Sequence, residues 1–252
     1  GLRDYGVGRD WTLVALGGGS LTDLAGFAAA TWQRGINVVY LPTTLLAMVD
    51  AAVGGKTGIN FGGIKNMIGV IRQPRALVFD LALLDGLPDS GWADGYAEMI
   101  KHGIIEGEAH FGELEKSIMR PSVGLPRPGP VELERLIRRS VDFKTATVSA
   151  DETETGQRML LNLGHTVGHG IEAASGLSHG ASIAAGLGVV LTLAERLYPE
   201  RAASIGAIKD RTNALFGRLG LPASLSDAWL AMKAAGLTNS ADGDGRDYNF
   251  RE

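Results

Sequence analysis

Trp11 to Trp32 reads WTLVALGGGSLTDLAGFAAATW, and this stretch decides the fold class. The short apolar run Trp11–Leu16 stops at three consecutive glycines, Gly17–Gly19, which predicts a buried strand ending in a tight turn. A helix is predicted from about Leu21 to Trp32, with Asp23 in its first turn. Strand, glycine turn, helix is the arrangement that aims backbone N–H groups at a phosphate. The dinucleotide fingerprint G-x-G-x-x-G is incomplete, because Thr22 stands where its third glycine belongs. A glycine turn between strand and helix is also common without any ligand.

The alternation continues outward. Asn37–Leu41, NVVYL, predicts a second strand ending at Pro42-Thr43-Thr44, and Leu45–Val53 predicts a helix with Asp50 among apolar neighbours. Gly54–Gly69, GGKTGINFGGIKNMIG, reads as a loop with Lys56, Lys65 and Asn66 among six glycines. Its GGKT is not a P-loop, since the Walker pattern requires glycine where Asp50 stands. The stretch still offers two ammonium groups and an amide to an anion, although either lysine alone reads equally well as part of an exposed basic loop. Ala76–Phe79 predicts a third strand. Strands alternating with helices imply a parallel α/β layer.

After Pro88 the strand signals cease, and helices are predicted over Gly91–Ile105, Val131–Ser149, Ala181–Leu197, Ala203–Leu219 and Leu225–Ala235. Four of the nine prolines fall between Pro121 and Pro130 and mark a loop. The tail Thr238–Glu252 is polar. The expected class is α/β: a Rossmann-like parallel sheet portion over residues 1–88, then an all-α domain over residues 89–252, with a cleft between them.

Three of five histidines lie in Arg158–His179, RMLLNLGHTVGHGIEAASGLSH. Read as one helix from near Gln157, it places Arg158, Asn162, His165, His169 and Glu172 at steps of four, three, four and three, a single stripe. A core helix would carry Leu or Val there. Gly164, Gly168 and Gly170 each cost the helix about 1 kcal/mol relative to Ala, so bare backbone must serve close approach of a ligand or another helix. One reading is a solvated face; the other is a metal site, with His165 and His169 at i and i+4 and His179 folding back past a turn. A metalloprotease is disfavoured, because Thr166 replaces the glutamate of that motif. Glu98 and Lys101, at i and i+3 on a predicted helix, read as an ordinary ion pair.

Composition bounds the function. The 252 residues are 45% hydrophobic and 21% charged, as in soluble globular proteins. A net charge of −4 supplies no basic footprint for nucleic acid. Without cysteine there is no thiolate chemistry, so zinc would need His and carboxylate ligands. The N-terminus does not read as a signal peptide, and the longest apolar run, Ala184–Ala194, is short for a bilayer. A cytoplasmic protein with no membrane partner is expected.

Taken together, GGGSLTDLAGFAAATWQRG, LPTTLLAMVDAAVGGKTGIN, GIKNMIG, YAEMIKHGII and NLGHTVGHGIEA followed by SHG resemble the 3-dehydroquinate synthases of the sugar phosphate cyclase family, over about Asp10 to Gly188. The resemblance implies that Glu98, His165 and His179 hold zinc (or cobalt in its place). It implies that Glu154 and His169 are the acid/base pair and that Lys101 serves catalysis as well as binding. Asp50, Lys56, Asn66, Lys101, Lys144, Arg158 and Asn162 would contact substrate. Arg34 would reach the substrate of a neighbouring subunit in a homodimer. Gly18, Gly19, Asp23, Thr43, Thr44 and Lys65 would contact NAD, making residues 1–88 part of an NAD-binding domain.

The implied substrate is a seven-carbon phosphorylated keto sugar acid, 3-deoxy-D-arabino-heptulosonate 7-phosphate, converted to 3-dehydroquinate and phosphate in the shikimate pathway of aromatic amino acid biosynthesis. NAD transiently oxidises one hydroxyl, phosphate is eliminated, and the ring recloses, a net lyase reaction. Arg158 and Lys144 would face the carboxylate; alternatively Arg158 pairs with Glu154. The sequence departs from the family in several places: a stretch expected before Gly1 is not in the chain, Ala181 replaces a glutamate, Gly86 replaces a hydroxyl-bearing residue, and the tail has no Asp-Lys-Lys motif. These departures predict a fragment or a decayed copy, one that binds NAD poorly alone. Rival readings are a 2-deoxy-scyllo-inosose or valiolone-type synthase, a metal-dependent polyol or glycerol dehydrogenase-like protein, and an inactive fragment.

Overall fold

The computed structural model describes residues 1–62 and 64–237, so the tail expectation lies outside the described residues. The chain divides into two compact units, Gly1–Gly95 with Pro130–Glu152, and Tyr96–Gly129 with Thr153–Glu252.

The first unit opens with strand β1 (Thr12–Gly17), helix α1 (Gly19–Thr31) and strand β2 (Asn37–Pro42). β1 and β2 run parallel in register from Thr12 opposite Asn37 to Gly17 opposite Pro42. Ala15, Val38 and Tyr40 point to one face and pack with Ala25 and Ala29 of α1. On the other face Val14 and Leu16 are 60% and 56% exposed. Period-2 alternation thus divides an apolar strand between a covered and an uncovered face. α1 begins two residues earlier than predicted, so Asp23 sits beyond its first turn.

Two expectations fail here. Leu45–Val53 is not a regular α-helix: Ala47–Ala51 forms a wide π turn in which Ala52 N–H donates to the Ala47 carbonyl at 3.1 Å. Gly54–Gly69 is not a loop but supplies most of an antiparallel hairpin, β3 (Lys56–Phe61) and β4 (Ile64–Ile71). Its glycines misled because Gly58 and Gly69 stand opposite each other mid-strand. A Cβ on Gly69 would lie 2.3 Å from the Thr57 carbonyl oxygen, so these glycines permit close backbone approach rather than a turn. β5 shrinks to Ala76–Leu77 and joins β2 in parallel, giving the sheet order β1-β2-β5.

Among the described residues no strand follows β5. Helices α2 (Asp89–Glu106), α3 (Glu108–Ile118) and α4 (Pro130–Ala150) come next. α3 was not expected, although it buries His110, Phe111, Leu114, Ser117 and Ile118 at helical spacing. α4 packs with the sheet unit, so division at Pro88 by sequence order is not the division by packing.

The predicted helix from Gln157 is broken. A 3₁₀ segment covers Gln157–Asn162, Leu163 is extended, Gly164 is left-handed at φ 78°, and α5 begins at His165 (His165–Ser175). Arg158 and Asn162 therefore do not share a helical stripe with His165. α6 (His179–Leu197), α7 (Ala202–Leu219) and α8 (Leu225–Ala234) complete the second unit. α6 is long and apolar enough to cross a bilayer by length and composition. Ten of its residues are buried, however, which is the pattern of a core helix.

Glycine sets how closely α5 and α6 pack. A Cβ at Gly186 would fall 2.2 Å from the Gly164 carbonyl oxygen and 2.8 Å from the Gly168 nitrogen. Gly186→Ala is therefore expected to destabilise the protein by about 1–3 kcal/mol through overpacking. Gly170→Ala, with nothing within 4 Å of its added Cβ, should instead be neutral or stabilising by up to about 1 kcal/mol. Urea unfolding of the two variants checks this; equal effects would count against the packing account.

Candidate active site

In the second unit the centre is a carboxylate taken out of water. Glu98 is 0% exposed on α2, and its partner one turn on, Lys101, is 1% exposed. The pair expected to be an ordinary surface contact is fully buried, where desolvation can exceed the Coulombic gain. Such a pair calls for further partners, and two histidines provide them. His165, first residue of α5, places Nε2 3.5 Å from Glu98 Oε1, and His179, first residue of α6, places Nε2 3.2 Å from the same oxygen.

The opposite nitrogen of each ring is also engaged. His165 Nδ1 lies 3.3 Å from the Leu163 carbonyl, and His179 Nδ1 lies 3.2 Å from Glu172 Oε2. If Nδ1–H donates in both rings, both Nε2 lone pairs face Glu98. Burial pushes the His179 imidazolium pKa down, but hydrogen bonds to Glu172 and Glu98 outweigh it and hold the pKa up at about 9.

The donor set fits a metal ion. One ligand atom from each of Glu98, His165 and His179 lies within 4.8 Å of the others. Neighbouring ligands on a tetrahedral ion with bonds of about 2.0–2.2 Å stand about 3.3 Å apart, which the 3.2 and 3.5 Å separations match. The His169 ring stands 5.2 Å from that of His165 and 6.2 Å from that of His179. His169 is exposed. Glu154 holds a left-handed backbone, φ 59°, and accepts from Asn162 Nδ2 at 2.7 Å. Arg158 is almost wholly buried. Glu172 was visible in the polar stripe but had no role assigned to it. Its signal was its position, seven residues before His179.

In the first unit a second polar group collects around Asp23. Burial pushes its carboxyl up to about 6, against the downward pull of a hydrogen bond to Asn66 and of the Lys65 and Lys144 charges. Asn66 is left-handed, φ 51°, and its backbone N–H donates to Asn60 Oδ1 at 3.0 Å. Lys144 reaches from α4 to the Asp50 carbonyl at 2.6 Å and Asp50 Oδ1 at 2.7 Å. Lys56 and Lys65 are exposed on the hairpin. Gly18 caps α1 without a side-chain hydrogen bond; Leu21 N–H donates to the Gly18 carbonyl at 3.0 Å, so an anion at this turn would meet the Gly19 and Ser20 amides. A Cβ at Gly18 would meet Thr44 Cγ2 at 3.1 Å, and one at Gly19 would meet Ala51 Cβ at 2.9 Å. Thr43 N–H donates to the Gly17 carbonyl, and Thr44 Oγ1 accepts from Ala47 N–H. Arg34 is exposed and left-handed at φ 67°, next to left-handed Gln33.

Asp23 generates a pH prediction. A carboxyl whose folded pKa is raised favours the protonated state, so its stabilising effect is complete below about 4 and is lost as pH rises through about 6. Asp23→Asn should match the parent at pH 4 and be more stable at pH 7. Equal stability gaps at both pH values in urea titrations would rule out burial as the cause.

Comparison with known proteins agrees with this architecture. The family profile described as 3-dehydroquinate synthase N-terminal matches residues 1–94, and the one described as 3-dehydroquinate synthase C-terminal matches residues 95–244. The chain is 46% identical over 224 residues to 3-dehydroquinate synthase from two strains of Acidithiobacillus ferrooxidans, covering 88% of this chain and 59% of those proteins. The chain thus spans rather more than half the length of these relatives. A solved 2-epi-5-epi-valiolone synthase from Streptomyces hygroscopicus subsp. jinggangensis, with NAD+ and Zn2+ bound, is 28% identical with a TM-score of 0.76, covering 93% of this chain and 65% of that one. A 2-deoxy-scyllo-inosose synthase is 26% identical with a TM-score of 0.73, covering 92% and 64%.

Proposed function

The chain belongs to the 3-dehydroquinate synthase family, and from that premise we propose that it carries the metal centre and most of the substrate machinery of an enzyme converting 3-deoxy-D-arabino-heptulosonate 7-phosphate to 3-dehydroquinate and phosphate. The observation that carries this reading is the convergence of two Nε2 atoms on one oxygen of a fully buried carboxylate. NAD would supply reversible oxidation of one substrate hydroxyl, and a divalent ion, zinc or cobalt, would polarise that hydroxyl as a Lewis acid.

The chain's own residues divide the remaining work. Glu98, His165 and His179 hold the ion, and three protein ligands leave a position for substrate oxygen. Lys101, buried against Glu98, fixes the carboxylate and offers a donor to substrate. Asn162 orients Glu154 through its 2.7 Å hydrogen bond, which suits Glu154 to hold or pass a proton together with His169. Arg158 presents a planar fork suited to a carboxylate. Lys144 already holds Asp50, so together they contact substrate as a dipole rather than as a lone cation. Lys56 and Asn66 contribute to the substrate anion, and Arg34 serves a neighbouring subunit of a homodimer. The α1 amides behind Gly18 and Gly19, with Asp23, Thr43, Thr44 and Lys65, contribute to NAD. A second reading, a sister cyclase acting on a sugar without a carboxylate, is favoured by the two solved neighbours, but at lower identity.

Two experiments test the proposal. Purified chain should contain one divalent metal ion, and His165→Ala and His179→Ala should each lose most of it by metal analysis; undiminished content in both would defeat the ligand set. In a chain extended to the length of its relatives, with NAD and zinc, phosphate should be released from the carboxylate-bearing sugar and not from glucose 6-phosphate or sedoheptulose 7-phosphate. Arg158→Lys, which keeps charge but loses the fork, should cut kcat/KM about 10–100-fold, the equivalent of about 1.5–3 kcal/mol for a charged hydrogen-bonded contact. An unaffected variant, or preference for a carboxylate-free sugar, would favour the sister-cyclase reading.

A further inference from the structure

We propose that Glu172 is a positioning residue of the metal centre, accepting the Nδ1 proton of His179 so that the ring presents its Nε2 lone pair beside Glu98. The inference rests on His179 being a metal ligand. It starts from an asymmetry between the two histidines. His165 is oriented by a backbone carbonyl, that of Leu163, which the left-handed turn at Gly164 leaves beside the ring. His179 has a side chain in the same place, Glu172 Oε2 at 3.2 Å from Nδ1.

Local structure explains how that carboxylate comes to be there. Glu172 lies one turn beyond His169 and two beyond His165 on α5. α5 ends at left-handed Gly176, where Leu177 N–H is caught by Ser175 Oγ at 3.1 Å. Ser178 then caps α6 by accepting from Ala181 N–H, and His179 becomes the first helical residue, set back against the turn it has just left. A half-buried carboxylate on a metal-ligating imidazole fixes the tautomer and raises the basicity of the coordinating nitrogen.

A rival arrangement uses the same atoms differently. His169, Glu172 and His179 also bring donor atoms within 4.8 Å of one another, so Glu172 could itself be a ligand through a ring turned to offer Nδ1. That arrangement leaves out Glu98, the one carboxylate of the group with no exposure, whose oxygen faces both Nε2 atoms. Burial and aim therefore place Glu98 in contact with the ion and Glu172 behind the ring.

The test is Co2+ titration of the metal-stripped chain, followed by visible absorption and chelator competition. The parent should bind one Co2+. Glu172→Ala should weaken binding about 10–100-fold, and Glu172→Gln, which keeps an acceptor but not the charge, should fall between the two. Both variants at saturation should keep the parent's stoichiometry and band positions. If the Ala variant binds Co2+ as tightly as the parent, or if Glu172→Gln moves the Co2+ bands, the positioning role is overturned. A parent that binds no Co2+ overturns the metal reading itself, and this inference with it.

Discussion

The polar centre of the second unit is organised around a carboxylate with no access to water. Removing Glu98 from solvent costs several kcal/mol, a cost its helical neighbour Lys101 does not simply cancel, since Lys101 is itself desolvated. The starts of α5 and α6 answer that problem. Two helix N-termini, those of α5 and α6, are brought to the same oxygen, each delivering a histidine as its first residue. A divalent ion among these groups would meet the buried charge with more charge than either imidazole supplies.

Bringing two helices that near demands bare backbone, and the sequence supplies it at the crossing. Gly164, Gly168 and Gly186 face one another across α5 and α6, where an added Cβ would come within 3 Å of backbone or side-chain atoms at each. These glycines are costly to a helix in isolation but necessary to this crossing. The same logic holds for Gly18 and Gly19, which sit against Thr44 and Ala51 in the first unit. Much of the glycine that suggested ligand-facing loops is thus explained first by packing. At Gly18 the two roles coincide, because the turn that packs also leaves helix amides uncapped.

What could be read from the sequence follows from which forces are local. Strand β1, the glycine turn and helix α1 were legible because apolar runs and turn residues act over a few residues. The hairpin β3–β4 was not, since its mid-strand glycines carry the same local signal as a loop and only the partner strand distinguishes them. α3 was overlooked beside a proline-rich stretch although its apolar spacing is regular. The pairing of Lys144 with Asp50 spans 94 residues and left no trace in either local pattern. Glu98, His165 and His179 were picked out as a set through resemblance to a family; spacing alone offered His165, His169 and a folded-back His179 without choosing among them.

Spacing cannot decide which of the three rings turn to one point. His165 and His169, four apart on one helix, bring their rings to 5.2 Å, yet His165 and His179, fourteen apart with a turn between, come nearly as close at 5.6 Å. Proximity of rings does not choose between the two pairs. Orientation bears on the proposed ligand set, because a ligand must turn one nitrogen inward and satisfy the other. His165 has the Leu163 carbonyl behind it and His179 has Glu172, and both show Nε2 to the Glu98 oxygen. The broken helix before His165 belongs to the same arrangement. Had the helix run unbroken from Gln157, the Leu163 carbonyl would have been drawn into the helical ladder instead of standing 3.3 Å from Nδ1. Left-handed Gly164 therefore does two things: it lets α6 approach, and it frees the acceptor that sets the ring of the first histidine.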